Sequence, residues 1–163
     1  VSHGSVYRHF NSKAALRDAV TESWLDSISS PLQAVAREDG PAAQRLQRWL
    51  DLLVRSKRTK ALDDPELFAT YIELAAEARE VVNGHVDTLV AQLGRIVSDG
   101  VARGEFEVKD TAAAARAAFD ATSRFHNPAH AAEWSRPGTD AAYEGVRTLV
   151  LRGLERRHSR AET

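Results

Sequence analysis

Val1-Ser2-His3-Gly4-Ser5-Val6-Tyr7-Arg8-His9-Phe10-Asn11-Ser12-Lys13 is the stretch on which the reading turns. It describes a short helix over residues 2–10, a tight polar turn at Asn11-Ser12, and the start of a longer helix at Lys13. Val6 and Phe10, four residues apart, can pack into a small core. Ser2, His3, Ser5, Tyr7, Arg8 and His9 are then left to project outward. Small residues at a helix N-terminus permit close approach to base edges. Hydroxyl, imidazole and cationic side chains reach phosphates, and the N-terminus itself attracts an anion. Charge is arranged to match: residues 1–13 hold Arg8 and Lys13 without an acid, while the 163-residue chain has a net charge of -1. The body beyond residue 13 is therefore acidic overall, so the positive end stands apart.

Outward from this stretch, the chain reads as helices separated by breaks, with no convincing strand. Ala, Leu, Arg and Glu, all good helix formers, dominate. Ser12 is the expected N-cap of a helix to about Arg37 with the stripe Leu16, Ala19/Val20, Ser23/Trp24 and Ile28. Pro31 removes a donor and is expected to kink or break it near Ser29-Ser30. After Asp39-Gly40-Pro41, a helix carrying Leu46, Trp49/Leu50 and Leu53 runs to near Lys60. Asp63-Asp64-Pro65-Glu66 starts another, with Leu67, Phe68, Tyr71, Leu74 and Ala75 inside. A long helix with Val82, Val86, Leu89, Leu93, Ile96 and Val97 extends to about Arg103 and stops at Gly104. Asp110 caps an alanine-rich helix to about Phe125, which His126-Asn127-Pro128 breaks. Arg136-Pro137-Gly138 precedes a last helix from about Asp140, with Tyr143, Val146, Leu149/Val150 and Leu154. The expected fold class is all-α, with about seven substantial helices.

Hydrophobic content of 43% suffices for a core, and no apolar run reaches the length of a membrane span. Absence of cysteine excludes disulfides and thiolate chemistry. No secretory signal is visible, so a cytoplasmic location without membrane partners is expected.

The opening stretch resembles the recognition helix and following helix of the TetR family of repressors. The pattern is small-polar residues, Tyr-x-x-Phe, a polar turn and Lys, here Gly4-Ser5-Val6-Tyr7-Arg8-His9-Phe10-Asn11-Ser12-Lys13, followed by Leu16. The resemblance implies that Ser2, His3 and Gly4 approach bases in the major groove. Ser5, Tyr7, His9 and Lys13 then fall at phosphates, with Arg8 a further phosphate contact. Residues 1–24 would form the C-terminal part of a helix-turn-helix domain, and residues 25–163 an effector-binding and dimerisation domain. Its partners would be a double-stranded DNA operator, a small-molecule effector and a second copy of the chain. Dimer candidates are Arg116, Phe119, Val146, Val150 and Leu154, on the last two helices.

Trp49, Phe68, Tyr71, His85, Phe119, Phe125, His126 and Trp134 are candidates to line an apolar effector pocket. A hydrophobic or aromatic compound is the expected ligand. His126 and His130 have metal-ligand spacing, but Pro128 intervenes and no third ligand is apparent. No metal, cofactor or catalytic residue is therefore assigned; Ser5 beside His9 lacks an orienting acid. Two other readings stay open: a dimeric helical module for protein contacts, and a small helical enzyme or carrier.

On the family pattern, the first two helices of the DNA-binding domain lie upstream of Val1. Residues 1–163 alone are then expected to bind DNA poorly, and tight operator binding in a mobility-shift assay of this chain would contradict that.

Overall fold

The computed structural model describes residues 10–156. Its α-helices are α1 (Lys13–Arg37), α2 (Ala42–Asp63), α3 (Pro65–Glu77), α4 (Arg79–Ala102), α5 (Thr111–Ala121) and α6 (Thr139–Leu154). Two 3₁₀ segments, Ser123–Phe125 and Pro128–Glu133, connect α5 to α6. The fold is all-α, as expected from the sequence; the expected helix over residues 2–10 lies outside the described residues. Both anticipated caps, Ser12 and Asp110, form, and Asp64 caps the helix whose start is expected at Asp63-Asp64-Pro65-Glu66. Ser12 accepts from the Ala15 amide at 3.0 Å, Asp64 from Leu67 at 2.9 Å and Asp110 from Ala113 at 2.9 Å. Each satisfies a donor that the first helical turn leaves without a partner. After α4 the chain reverses at Gly104, whose φ of 73° suits a residue without a Cβ.

Two expectations about helix ends are corrected. Pro31 does not break its helix: α1 runs continuously from Lys13 to Arg37. The ring sits on the exposed side, while Ile28 and Leu32 on either side of it are fully buried. Anchoring of both flanks outweighs one missing hydrogen bond. The alanine-rich helix ends at Ala121, short of Phe125. There the Thr122 hydroxyl donates to the carbonyls of Ala118 and Phe119 at 3.0 and 3.1 Å, offering the backbone an alternative to further α-helix. The buried stripe of α1 is also rotated from that expected. Val20 and Ser23 are exposed, while Thr21, Trp24, Leu25, Ile28 and Leu32 face inward.

The main core lies between α1, α2 and α4. Ile28, Leu32 and Ala36 meet Leu46, Trp49, Leu50 and Leu53, with Leu93, Ile96 and Val97 closing the third side. Two polar ties cross it. The Trp49 indole donates to Gln92 Oε1 at 2.9 Å, and Gln92 Nε2 donates to the Ser29 carbonyl at 3.1 Å. Nearer the other end, buried Arg45 donates to the Ala36 carbonyl at 2.8 Å and pairs with Asp99 at 3.0 Å. A cation thereby meets the carbonyl end of α1, where the helix dipole favours it.

The turn after α4 is fastened to the end of the chain. Glu107 donates its amide to Leu154 and Arg156 to Glu105, forming an isolated antiparallel bridge between Phe106 and Glu155. Phe106 packs so closely on α4 that a Cβ at Gly100 would lie 2.2 Å from its ring. Gly100→Ala must displace this buried ring and is expected to cost about 1–3 kcal/mol in urea denaturation. At Gly94 a Cβ would meet only Ala115 at 3.9 Å, so Gly94→Ala is expected to leave stability unchanged or raised by about 0.5–1 kcal/mol. Equal effects at the two positions would contradict this account.

Candidate functional site

A cavity of about 350 Å³ opens between α1, α2, α3, α4 and the end of α5. Trp24 and Leu25 supply the α1 wall, and Ile72 and Ala75 the α3 wall. Along α4, Val82, His85, Val86 and Leu89 follow helical spacing and present one side. Phe119, Ser123 and His126 close the far end, with Arg116 and Asp120 also on the lining. The volume falls within the range of small-molecule pockets, and the surroundings are mostly apolar with a few polar groups.

Trp24 holds the α1 wall in place. Tyr71 stacks on it with ring centroids 4.7 Å apart and an interplanar angle of 5°. Phe68 meets it edge-on at 6.2 Å, and Trp134 meets Phe68 in turn at 6.3 Å. On another side, the ammonium of Lys57 lies 5.6 Å from the Trp24 ring centroid. Such aromatic and cation–π contacts fix ring orientation as well as adding attraction.

The polar groups are few and unusually placed. Lys57 is only 6% exposed, and burial followed by the charge of Lys60 pushes its pKa down to about 8. Burial lowers His85 to about 3, and the Lys57 charge adds to that effect. His85 Nε2 is buried without a hydrogen-bond partner. His126 is lowered by burial to about 4, although a hydrogen bond to Phe119 works in the other direction. Its Nε2 lies 3.3 Å from both the Phe119 carbonyl and the Thr122 hydroxyl. The carbonyl can only accept, and the hydroxyl spends its own proton on backbone carbonyls; this assigns the proton to Nε2. Leu25 and His85 also border a more open groove of about 410 Å³ carrying Glu22, Asp26 and Glu80.

Of the pocket residues expected from sequence, His85, Phe119 and His126 line this cavity. Tyr71, Phe68 and Trp134 stand behind Trp24 instead. Trp49 is fully buried in the main core, where its indole N–H is occupied by Gln92. Phe125 packs on Tyr143 at 5.3 Å beside Val54, in a separate cluster. Trp24 and Lys57 were missed as lining residues. Lys57 is hidden in the charged run Arg55-Ser56-Lys57-Arg58-Thr59-Lys60, which reads as a solvated face. Its signal is helical register: it lies four residues after Leu53 and three after Val54, on the apolar side.

Of the expected dimer residues, Phe119 and Leu154 are buried within the chain itself. Val146 and Val150 are half-buried, packed against the clusters beneath them. Arg116 is exposed and pairs with Asp120 one turn on. The faces that α5 and α6 leave open carry other residues. On α5 these include Ala113, Ala117 and Ala121; on α6, Ala141, Ala142, Gly145 and Leu149. Leu149 is 70% exposed.

Ser2, His3, Gly4, Ser5, Tyr7, Arg8 and His9 lie outside the described residues. Lys13 is exposed in the first turn of α1. Helix α1 is continuous across the 24/25 position where the sequence reading divides the chain. His126 is buried while His130 faces Glu133 at 3.5 Å, and no cluster of three metal-ligating side chains exists among the described residues. None of the described helices is long and apolar enough to cross a membrane.

A family model described as the tetracyclin repressor-like C-terminal domain matches residues 42–147. That span covers α2 through α5 and half of α6. No curated protein matches the chain.

His126 makes stability depend on pH with a defined sign. Its folded pKa of about 4 lies below the ordinary 6.5, so between these values the unfolded chain binds a proton that the folded chain refuses. Stability is therefore full above 6.5 and falls as the pH drops toward 4, by about 1.4 kcal/mol per pH unit from this group. Urea midpoints measured at pH 7 and 5 are expected to separate less in His126→Gln than in the wild type. An unchanged separation would contradict the assignment.

Proposed function

The chain belongs to the tetracyclin repressor-like (TetR) family, and from that premise we propose a homodimeric transcriptional repressor whose affinity for operator DNA falls when a small apolar effector fills the cavity. The observation that carries this reading is the double position of α1. Its residues Trp24 and Leu25 form a wall of the cavity. The same uninterrupted helix begins at Lys13, directly after the segment that resembles a recognition helix. A ligand pressing on Trp24 therefore acts on the element that carries the DNA-reading end. Residues 1–24 serve DNA contact and residues 25–163 serve sensing and dimerisation, with α1 as the mechanical link.

A ligand shifts DNA affinity only through different affinity for the DNA-competent and DNA-incompetent states. A coupling of about 1–3 kcal/mol corresponds to about 5–150-fold in operator affinity. The two-fold symmetry of a dimer would place two recognition helices at half-sites roughly 34–36 Å apart. The open faces of α5 and α6 support the pairing surface: alanines and Gly145 allow close approach, and Leu149 supplies an apolar anchor.

Two measurements test this reading. Operator selection from a random duplex library, using the full-length protein, is expected to recover a palindrome. Effector is then expected to weaken that binding 5-fold or more; a palindrome that no ligand affects would leave the sensing half without support. Leu149→Arg is expected to convert the dimer to monomers in sedimentation velocity while helical circular dichroism is retained. A variant that stays dimeric would remove α6 from the interface.

A further inference from the structure

The cavity contains a cation that lies 5.6 Å from the centroid of the Trp24 ring and pairs with no carboxylate among the described residues. Lys57 is 94% buried by its 6% exposure, yet among the described residues its ammonium has no carboxylate within 4.0 Å and no hydrogen bond. Burying an ammonium is costly, and the group answers by a lowered pKa, here about 8, or by taking up a compensating charge. Among the described residues the one carboxylate lining the cavity, Asp120, is taken by Arg116, whose Nε lies 3.1 and 3.0 Å from its two oxygens. Lys57 bears electrostatically on both His85 and His126, which line two other walls, so its charge is felt within the cavity. His85 Nε2 is a polar atom buried without a partner. The charged groups on the lining are thus Lys57 and the self-paired Arg116 and Asp120, beside two neutral imidazoles.

We infer that the effector is an amphipathic carboxylic acid, its carboxylate paired with the Lys57 ammonium and its apolar body lying along Leu25, Ile72, Val86, Leu89 and Phe119. This rests on the reading of the cavity as the effector site and adds the chemical class of its occupant. The carboxylate completes the ion pair that the chain leaves open, and His85 Nε2 is available for a second hydrogen bond. A neutral ligand of the same shape would bury the ammonium further without compensating it. A cationic ligand would meet direct repulsion. At about 350 Å³ the cavity is at the small end for ligand sites, which favours a single short chain or a fused ring pair over a larger lipid.

Calorimetric titration of the chain with decanoate, methyl decanoate and 2-naphthoate tests the inference, with intrinsic tryptophan fluorescence as a second readout. Decanoate is expected to bind at least 10-fold more tightly than its methyl ester, a comparison that needs no variant. Lys57→Met, which keeps the length and removes the charge, is expected to erase that preference while retaining ester binding. Binding of 2-naphthoate but not decanoate would keep the acid and make its source aromatic. Equal binding of acid and ester in the wild type, unaffected by Lys57→Met, would overturn the carboxylate inference and leave the cavity standing as the effector site. Failure of all three probes to bind would overturn both.

Discussion

One amide side chain holds three helices in register. Gln92, inside α4, accepts the indole proton of Trp49 from α2 and donates to the Ser29 carbonyl of α1. Both bonds are buried beside the main apolar core, where an unmatched donor or acceptor costs about 1–3 kcal/mol. Apolar contacts alone would tolerate a sliding of one helix along another by a turn. A buried hydrogen-bond relay does not, because sliding strands three polar groups at once. Gln92 lies one turn beyond Leu89, the last α4 residue on the lining, so the packed core ends where the open space begins.

The division between packed core and open cavity explains what sequence alone could reveal. Helix starts were legible because caps are local: Ser12, Asp64 and Asp110 each act on an amide three residues away. Helix interiors were legible wherever a long apolar stripe repeated, as from Leu89 to Val97. Features decided by tertiary contacts were not. Pro31 carries a strong local signal to stop, but Ile28 and Leu32 on either side are held by α2 and α4, and the helix continues. Trp49 and Phe125 share the aromatic character of a pocket residue, and nothing local distinguishes a ring turned into the core from one facing a void.

Lys57 shows the opposite difficulty. Composition hides it among neighbours that are charged and partly solvated, and only its angular position on α2 sets it apart. Aromatic character is shared by Trp49, Phe68, Tyr71, Phe125 and Trp134, none of which lines the cavity, whereas the charge on its lining sits in a run that reads as solvent-facing. The same holds for α5 and α6. Large apolar residues were expected to face a partner, whereas Phe119 and Leu154 are spent inside the chain and small residues occupy the open faces. Small residues at a helix surface leave little hydrophobic signal, although they allow the closest approach of two backbones.

The continuity of α1 through Pro31 has a consequence for leverage. Twenty-five residues in one rod span about 37 Å, and the stretch from Trp24 back to Lys13 measures about 16 Å. Beyond Trp24 the rod is gripped by the core through Ile28, Leu32 and Ala36, so Trp24 lies near the fulcrum, while toward Lys13 the hold thins to buried Thr21 and the Arg17–Glu77 ion pair. A tilt of about 5° at that fulcrum, small enough to be absorbed by a repacked aromatic ring, carries Lys13 through about 1.4 Å. A broken helix would dissipate such a tilt at the break; an unbroken one delivers it to the tip.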